Sequence, residues 1–152
     1  MNEQTNIDLV RQCYDDFLRG DIPQVLSHFA QDIDWELTAV ESIPFTGKRR
    51  GLDQVAGFFR EMNELQEFRD FRPLEFIAQG DRVVVLGHYR VAVKATGAEF
   101  DSDWTHVFTI DGGKFVKFRE FSDTHKAALA YQPPAGAIGS AARAGGDRPA
   151  AH

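Results

Sequence analysis

The chain has 152 residues and a formal net charge of −6, enough for one domain with a real core and too short for two comfortable ones. That acidity excludes nucleic acid as the main partner, since phosphate recognition needs clustered Lys and Arg and only Lys48-Arg49-Arg50 forms a basic run. A single cysteine, Cys13, excludes an internal disulfide; no Cys/His spacing suggests zinc and no apolar run approaches the roughly 20 residues of a membrane span, so a cytoplasmic protein without metal or cofactor is expected.

In chain order, Ile7, Val10, Tyr14, Phe17 and Leu18 recur at helical spacing behind a cap at Thr5 or Asn6, and Gly20 stops this first helix. Asp21 caps a second helix that tolerates Pro23 in its first turn and has Ile22, Val25, Leu26 and Phe29 as its buried stripe. Residues 34–39 alternate weakly, with Trp35 and Leu37 on one side, and predict a short strand; residues 40–50, with Pro44 and Gly47, predict a loop. Leu52, Val55, Phe59 and Met62 are spaced for a third helix, with Asp53 in its first turn, where a negative charge favours the helix dipole.

Four strands are then predicted over 68–78, 82–95, 99–110 and 114–122. Gln79-Gly80-Asp81, Thr96-Gly97-Ala98 and Asp111-Gly112-Gly113 separate them, the writing of an antiparallel meander. Pro73 lacks a backbone N–H and marks the first of these strands as an edge or as bulged. Residues 133–152 are mostly Ala, Gly, Pro and Arg and predict a disordered tail behind a domain of residues 1–132. This order implies an α+β domain in which helices close one face of a curved antiparallel sheet, leaving a cone-shaped pocket. Thirteen phenylalanines either pack that interior solid or line a cavity for an apolar ligand.

The last two strands carry the chemistry. Trp104, His106, Phe108 and Ile110 fall two apart, as do Phe118, Glu120 and Ser122. If a half-buried hairpin gathers its large apolar groups on one side, an imidazole and a carboxylate share one apolar pocket. An imidazole titrates near neutrality, and a carboxylate within reach fixes its tautomer, which makes His106 with Glu120 a general base or shuttle; the alternative is a structural pair tying two strands together. Tyr14 is placed to polarise an oxygen and Asp123 to act as a second acid/base or as a surface residue. Trp35, Leu37, Phe59, Tyr89, Trp104, Phe118 and Ser122 are the expected substrate-binding wall.

The stretches VRQCYDDFLRGDIPQVLSHFAQDIDWEL, GKRRGLDQVAGFFREM, GDRVVVLGHYRVAVKATG and WTHVFTIDGGKFVKFREFSDT resemble the nuclear transport factor 2-like superfamily, in its SnoaL-like polyketide cyclase and ketosteroid isomerase-like branch. The resemblance implies a cystatin-like α+β barrel. Ketosteroid isomerase, a worked case of pKa tuning, uses an aspartate base with a tyrosine and a protonated aspartate as oxyanion hole; the corresponding positions here are Leu37, a site near Cys13 beside Tyr14, and His106. A leucine accepts no proton, so that mechanism is not expected. Limonene epoxide hydrolases have a last-strand aspartate that would align with Glu120, but their Arg-x-Asp partner is not matched by His88-Tyr89-Arg90. SnoaL-like cyclases use acid/base residues in a closed apolar cavity without metal or cofactor, which here implies His106, Glu120 and Asp123. The expected function is a cofactor-independent acid/base enzyme of isomerase, cyclase, dehydratase or epoxide hydrolase type acting on a small hydrophobic or aromatic metabolite. The alternative is a non-catalytic hydrophobic-ligand-binding or dimerisation module. Val84, Leu86 and Val107, on the outer sheet face, predict a homodimer through that face.

Overall fold

The computed structural model describes residues 2–133, so nearly all of the predicted tail lies outside the described residues. Helix α1 (Glu3–Leu18) begins earlier than its periodicity suggests, because Asn2 caps it by accepting the Thr5 N–H at 2.8 Å. Its inward stripe holds Val10, Cys13 and Tyr14, whereas Leu18 is exposed. Asp21 caps α2 (Ile22–Ser27) through the Gln24 N–H. That helix stops two residues before Phe29, which instead opens strand β1 (Phe29–Leu37). The predicted start at 34 was too late: Phe29 pairs with Phe115, and the Phe115 N–H donates to the His28 carbonyl at 2.9 Å. This tertiary pairing holds a polar segment, Gln31-Asp32, as strand. Part of the predicted 40–50 loop is also strand, β2 (Gly47–Arg50), which pairs antiparallel with β1. Its Lys-Arg-Arg run buries nothing fully and therefore shows no hydrophobic alternation.

Helix α3 (Leu52–Leu65) leads into β3 (Gln66–Gln79), β4 (Arg82–Val93), β5 (Glu99–Asp111) and β6 (Lys114–Ser122), and a further helix, α4 (Thr124–Tyr131), ends the described chain. The sheet order is β2-β1-β6-β5-β4-β3, antiparallel except for the parallel β1–β6 pair. The sheet is curved and unclosed, so it is not a complete barrel. Pro73 lies on edge strand β3 and beside a register shift, both of which spare the ladder its missing N–H. Helix α1 packs on β3 and β4 and α3 on β1 to β3. Val10, Ile33, Val55, Val83, Val85 and Phe115 are fully buried between these layers. Among the described residues no helix is long and apolar enough to cross a membrane.

The β5–β6 turn has two residues rather than three: Gly112 (φ 57°) and Gly113 (φ 77°) occupy the left-handed positions of a tight hairpin turn. Asp111 pairs with Lys114 and Ile110 with Phe115, but Thr109 pairs with Lys117, so Val116 is an extra residue, a β-bulge. Phe115 and Phe118 are consequently both buried although three apart.

A second buried cluster ties α1 to the end of α2. The Asp16 carboxylate, fully buried, accepts from His28 Nε2 at 2.7 Å, from Arg19 and from Gln12 Nε2 at 3.2 Å. The His28 hydrogen bond, with those of Arg19 and Gln12, holds the Asp16 pKa below its ordinary 3.8 against the opposing effect of burial. A folded-state pKa depressed in this way contributes stability that is complete above pH 3.8 and is lost as pH falls through the lower folded value. Asp16→Asn should therefore lower the urea midpoint at neutral pH and converge on the parent protein as the pH falls progressively below 3.8. A midpoint difference that stays constant over the acid limb would show that the carboxylate charge has no part in the clasp.

Candidate active site

The bulge at Val116 sets His106 directly opposite Glu120, Phe108 opposite Phe118 and Trp104 opposite Ser122. His106 Nε2 lies 2.8 Å from Glu120 Oε1, and His106 Nδ1 lies 2.7 Å from the hydroxyl of Tyr14, delivered from α1 on the other side of the cavity. A carboxylate only accepts, so Nε2 carries the imidazole proton and donates it to Glu120, which leaves Nδ1 to accept the Tyr14 O–H. Glu120 Oε2 has a long contact, 3.4 Å, from the Tyr89 hydroxyl. The result is one buried chain, Tyr14–His106–Glu120–Tyr89, with His106 only 5% exposed. Burial first, then the charges of Cys13 and Glu120, push the Tyr14 pKa well above its ordinary 10. Burial and the Glu120 charge do the same to Tyr89. Both phenols are neutral donors at any physiological pH. Burial also pushes the Cys13 thiol up to about 12, so it is no thiolate nucleophile.

Two small chambers meet at this chain. The inner one, about 70 Å³, is lined by Tyr14, Trp35, Phe59, His106, Phe118 and Glu120 among other aromatic rings. The outer one, about 50 Å³, is lined by Leu37, Tyr89, Glu120 and Ser122, together with the 38–46 segment and α4. Glu120 lines both. Trp104 lines neither. It lies behind the imidazole, stacked on it with centroids 3.9 Å apart and planes 22° apart. Asp123 is not part of the wall: it is exposed and caps α4, accepting the Lys126 N–H at 3.0 Å. A free catalytic carboxylate and a helix cap look alike as a lone Asp after a strand; the difference is the Thr-His-Lys-Ala-Ala-Leu helix former that follows.

Sequence reasoning missed three contributors. Phe58 follows Val55 by three residues and faces Trp35 at 4.9 Å, so α3 presents two adjacent rings to the cavity, not Phe59 alone. Phe71, on the edge strand, stacks on Trp104 at 5.2 Å. Gly87 pairs across the sheet with Trp104, and a Cβ built on it would lie 2.2 Å from Trp104 Cζ2. Only the strand register reveals that glycine's purpose. Among the described residues no group of three or more His, Cys, Asp or Glu side chains is arranged to hold a metal ion.

Comparison with known proteins agrees with this architecture. The SnoaL-like domain family matches residues 10–118. An NTF2-like protein from Burkholderia xenovorans is 32% identical, covers 87% of this chain and 99% of its own, and superposes with a TM-score of 0.79. TerC, in a crystal structure with polyporic acid, is 27% identical, with 84% and 98% of the two chains covered and a TM-score of 0.75. An uncharacterized protein of Mycobacterium tuberculosis is 24% identical over 121 residues, 80% of this chain and 91% of that one.

The Gly87 contact is open to direct measurement. Gly87→Ala forces Trp104 off its seat and with it the stack on His106, an overpacking change of about 1–3 kcal/mol. Thermal unfolding should show that loss and the near-ultraviolet circular dichroism of the tryptophans should change. Unaltered stability and spectrum would mean that the Trp104 ring is not held against the β4 backbone.

Proposed function

Because the chain belongs to the SnoaL-like domain family, within the nuclear transport factor 2-like fold, we propose that it is a general acid/base enzyme acting on a small hydrophobic metabolite in the inner chamber. The observation that carries this reading is the Tyr14–His106–Glu120 chain, which ends on a cavity that is otherwise apolar and mostly aromatic. His106 has both ring nitrogens engaged, so it is a shuttle reached through Tyr14 rather than a base open to the cavity.

In the proposed step the substrate's proton passes to the Tyr14 oxygen as the Tyr14 proton moves to His106 Nδ1. The products are a substrate anion, a neutral phenol and an imidazolium whose charge the Glu120 carboxylate balances. This is the division of labour between nucleophile, histidine and acid in hydrolytic triads, with a phenol in the first position. The raised Tyr14 pKa requires that transfer to be concerted, because a free tyrosinate is too costly in this cavity. The reverse transfer returns the proton to a neighbouring atom. Isomerisation, cyclisation, dehydration and epoxide opening all need such moves in a dry site, and they call on no cofactor. Trp104, stacked on the imidazole face, holds the ring in the plane that both hydrogen bonds need. That TerC is co-crystallised with polyporic acid supports an organic ligand for this cavity as well.

With a substrate found by thermal-shift screening of metabolites, His106→Ala and Glu120→Ala should each lower kcat by roughly 10²–10⁴, while Tyr14→Phe should do the same with little change in KM. Turnover unaffected by both alanine variants sinks the assignment. Tight ligand retention without turnover in the parent protein favours a binding module instead.

We also propose that a second copy of the chain covers the outer sheet face. Ile77, Val84 and Val107 form one cross-strand row there and Leu86 with Phe121 the next, and Ile77, Leu86 and Phe121 are exposed. Sedimentation at micromolar concentration should give a dimer that Leu86→Lys with Phe121→Lys dissociates; a parent monomer would reject the interface.

A further inference from the structure

The two oxygens of Glu120 are used unequally. Oε1 accepts from His106 at 2.8 Å, whereas Oε2 has only the Tyr89 hydroxyl, 3.4 Å away. A hydroxyl donating to a carboxylate ordinarily closes to about 2.5–2.7 Å, so this donor and this acceptor stand side by side without being spent on each other. Both belong to the outer chamber: Tyr89 lines that chamber and not the inner one, whereas Tyr14 and His106 line the inner one and not the outer. The Glu120 side chain keeps 14% of its surface accessible, and the outer chamber is the more polar of the two. Tyr89 is held in place by its ring, against Phe68 at 5.5 Å and stacked on Trp104 at 6.3 Å. Phe58, Met62, Phe68 and Glu120 line both chambers, so only side chains part them.

We infer that the outer chamber is a subsite for a hydroxyl group of an otherwise apolar, uncharged ligand, which donates to Glu120 Oε2 and accepts from the Tyr89 O–H. The inference rests on the reading of the inner chamber as the place of the ligand's carbon skeleton. The pairing of one free acceptor with one free donor selects the group. A carboxylate only accepts, and a phenol beside it offers its proton, so the complement must donate and accept at once. A carbonyl oxygen satisfies Tyr89 but turns its lone pairs on Glu120. An ammonium satisfies Glu120 but supplies no acceptor for the Tyr89 proton. An anion meets the carboxylate in a low-dielectric space where no Lys or Arg lines the wall. A hydroxyl serves both groups, and holding it there lays the attached skeleton toward Tyr14 and the phenylalanine wall of the inner chamber. A site that hydrogen-bonds a hydroxyl rejects the analogue lacking it far more strongly than an apolar pocket does.

Three probes of one size test this on the full-length protein: cyclohexanol, which donates and accepts, cyclohexanone, which only accepts, and cyclohexylamine, which at neutral pH is an ammonium ion. Their place is read by nuclear Overhauser contacts to ¹³C-labelled methyl groups, because Leu37, Ile43 and Ala127 line the outer chamber and Val25 the inner. Cyclohexanol should touch the outer-chamber methyls and bind at least about fivefold more tightly than either other probe. Tyr89→Phe, which keeps the ring, should weaken cyclohexanol by about fivefold to tenfold and leave the ammonium ion unchanged. Should that variant not fold, the ranking of the three probes on the parent protein decides alone. A ketone or an ammonium ion that binds as well as the alcohol, contacts to Val25 only, or no binding of the alcohol overturns the inference. Turnover in His106→Ala reports on the proton chain and not on this ranking, so the two readings fail separately.

Discussion

One extra residue in strand β6 decides what this cavity contains. If the pairing nearest the turn, Ile110 with Phe115, continued without interruption, His106 would face Arg119 and Phe108 would face Lys117. Two cations would then point into an aromatic interior, and Glu120 would lie on the outer face of the sheet. The bulge at Val116 moves every later residue by one position, which for a strand means from one face to the other. The bulge is itself held by apolar burial, because Phe115 and Phe118 can both reach the core only if a residue is left over between them.

The rest of the site follows from holding an imidazole and a carboxylate in such surroundings. A half-satisfied polar network in an apolar core is worse than none, and here every member of the chain from Tyr14 to Glu120 has its partner. The imidazole is constrained on its edge by hydrogen bonds and on its face by Trp104, which in turn depends on the absent side chain of Gly87. Helix α1 carries both the Tyr14 end of this chain and the Asp16 clasp to His28 two residues later, so the clasp that anchors the helix also aims the phenol.

Much of this was legible in the sequence where local pattern and tertiary role coincide. The period of two in Trp104, His106 and Phe108 is the observed inward face of β5, and the spacing of Leu52, Val55, Phe59 and Met62 is α3. Legibility ended where a residue's conformation is set by a distant partner. The first half of β1 is strand because Phe115 and its neighbours wait beside it, and β2 because β1 does. Asp123 looked like a free acid because the short helix it caps was not recognised. The shared face of His106 and Glu120 rested on an assumption about apolar grouping, and it holds only with a bulge that alternation alone does not announce.

The parallel pairing of β1 with β6 has a consequence for how the protein comes into being. Trp35 and Phe118, stacked in the finished wall, are separated by most of the domain's length and come together only through the direct pairing of β1 with β6. During synthesis the early helices and first strand leave the ribosome with their aromatic side uncovered until the final ribbon arrives. Contacts so far apart in sequence slow folding and lengthen that exposure. Truncation before residue 114 removes β6, the one strand that joins β1 to the β5-β4-β3 half of the sheet, and with it the closure of the aromatic interior.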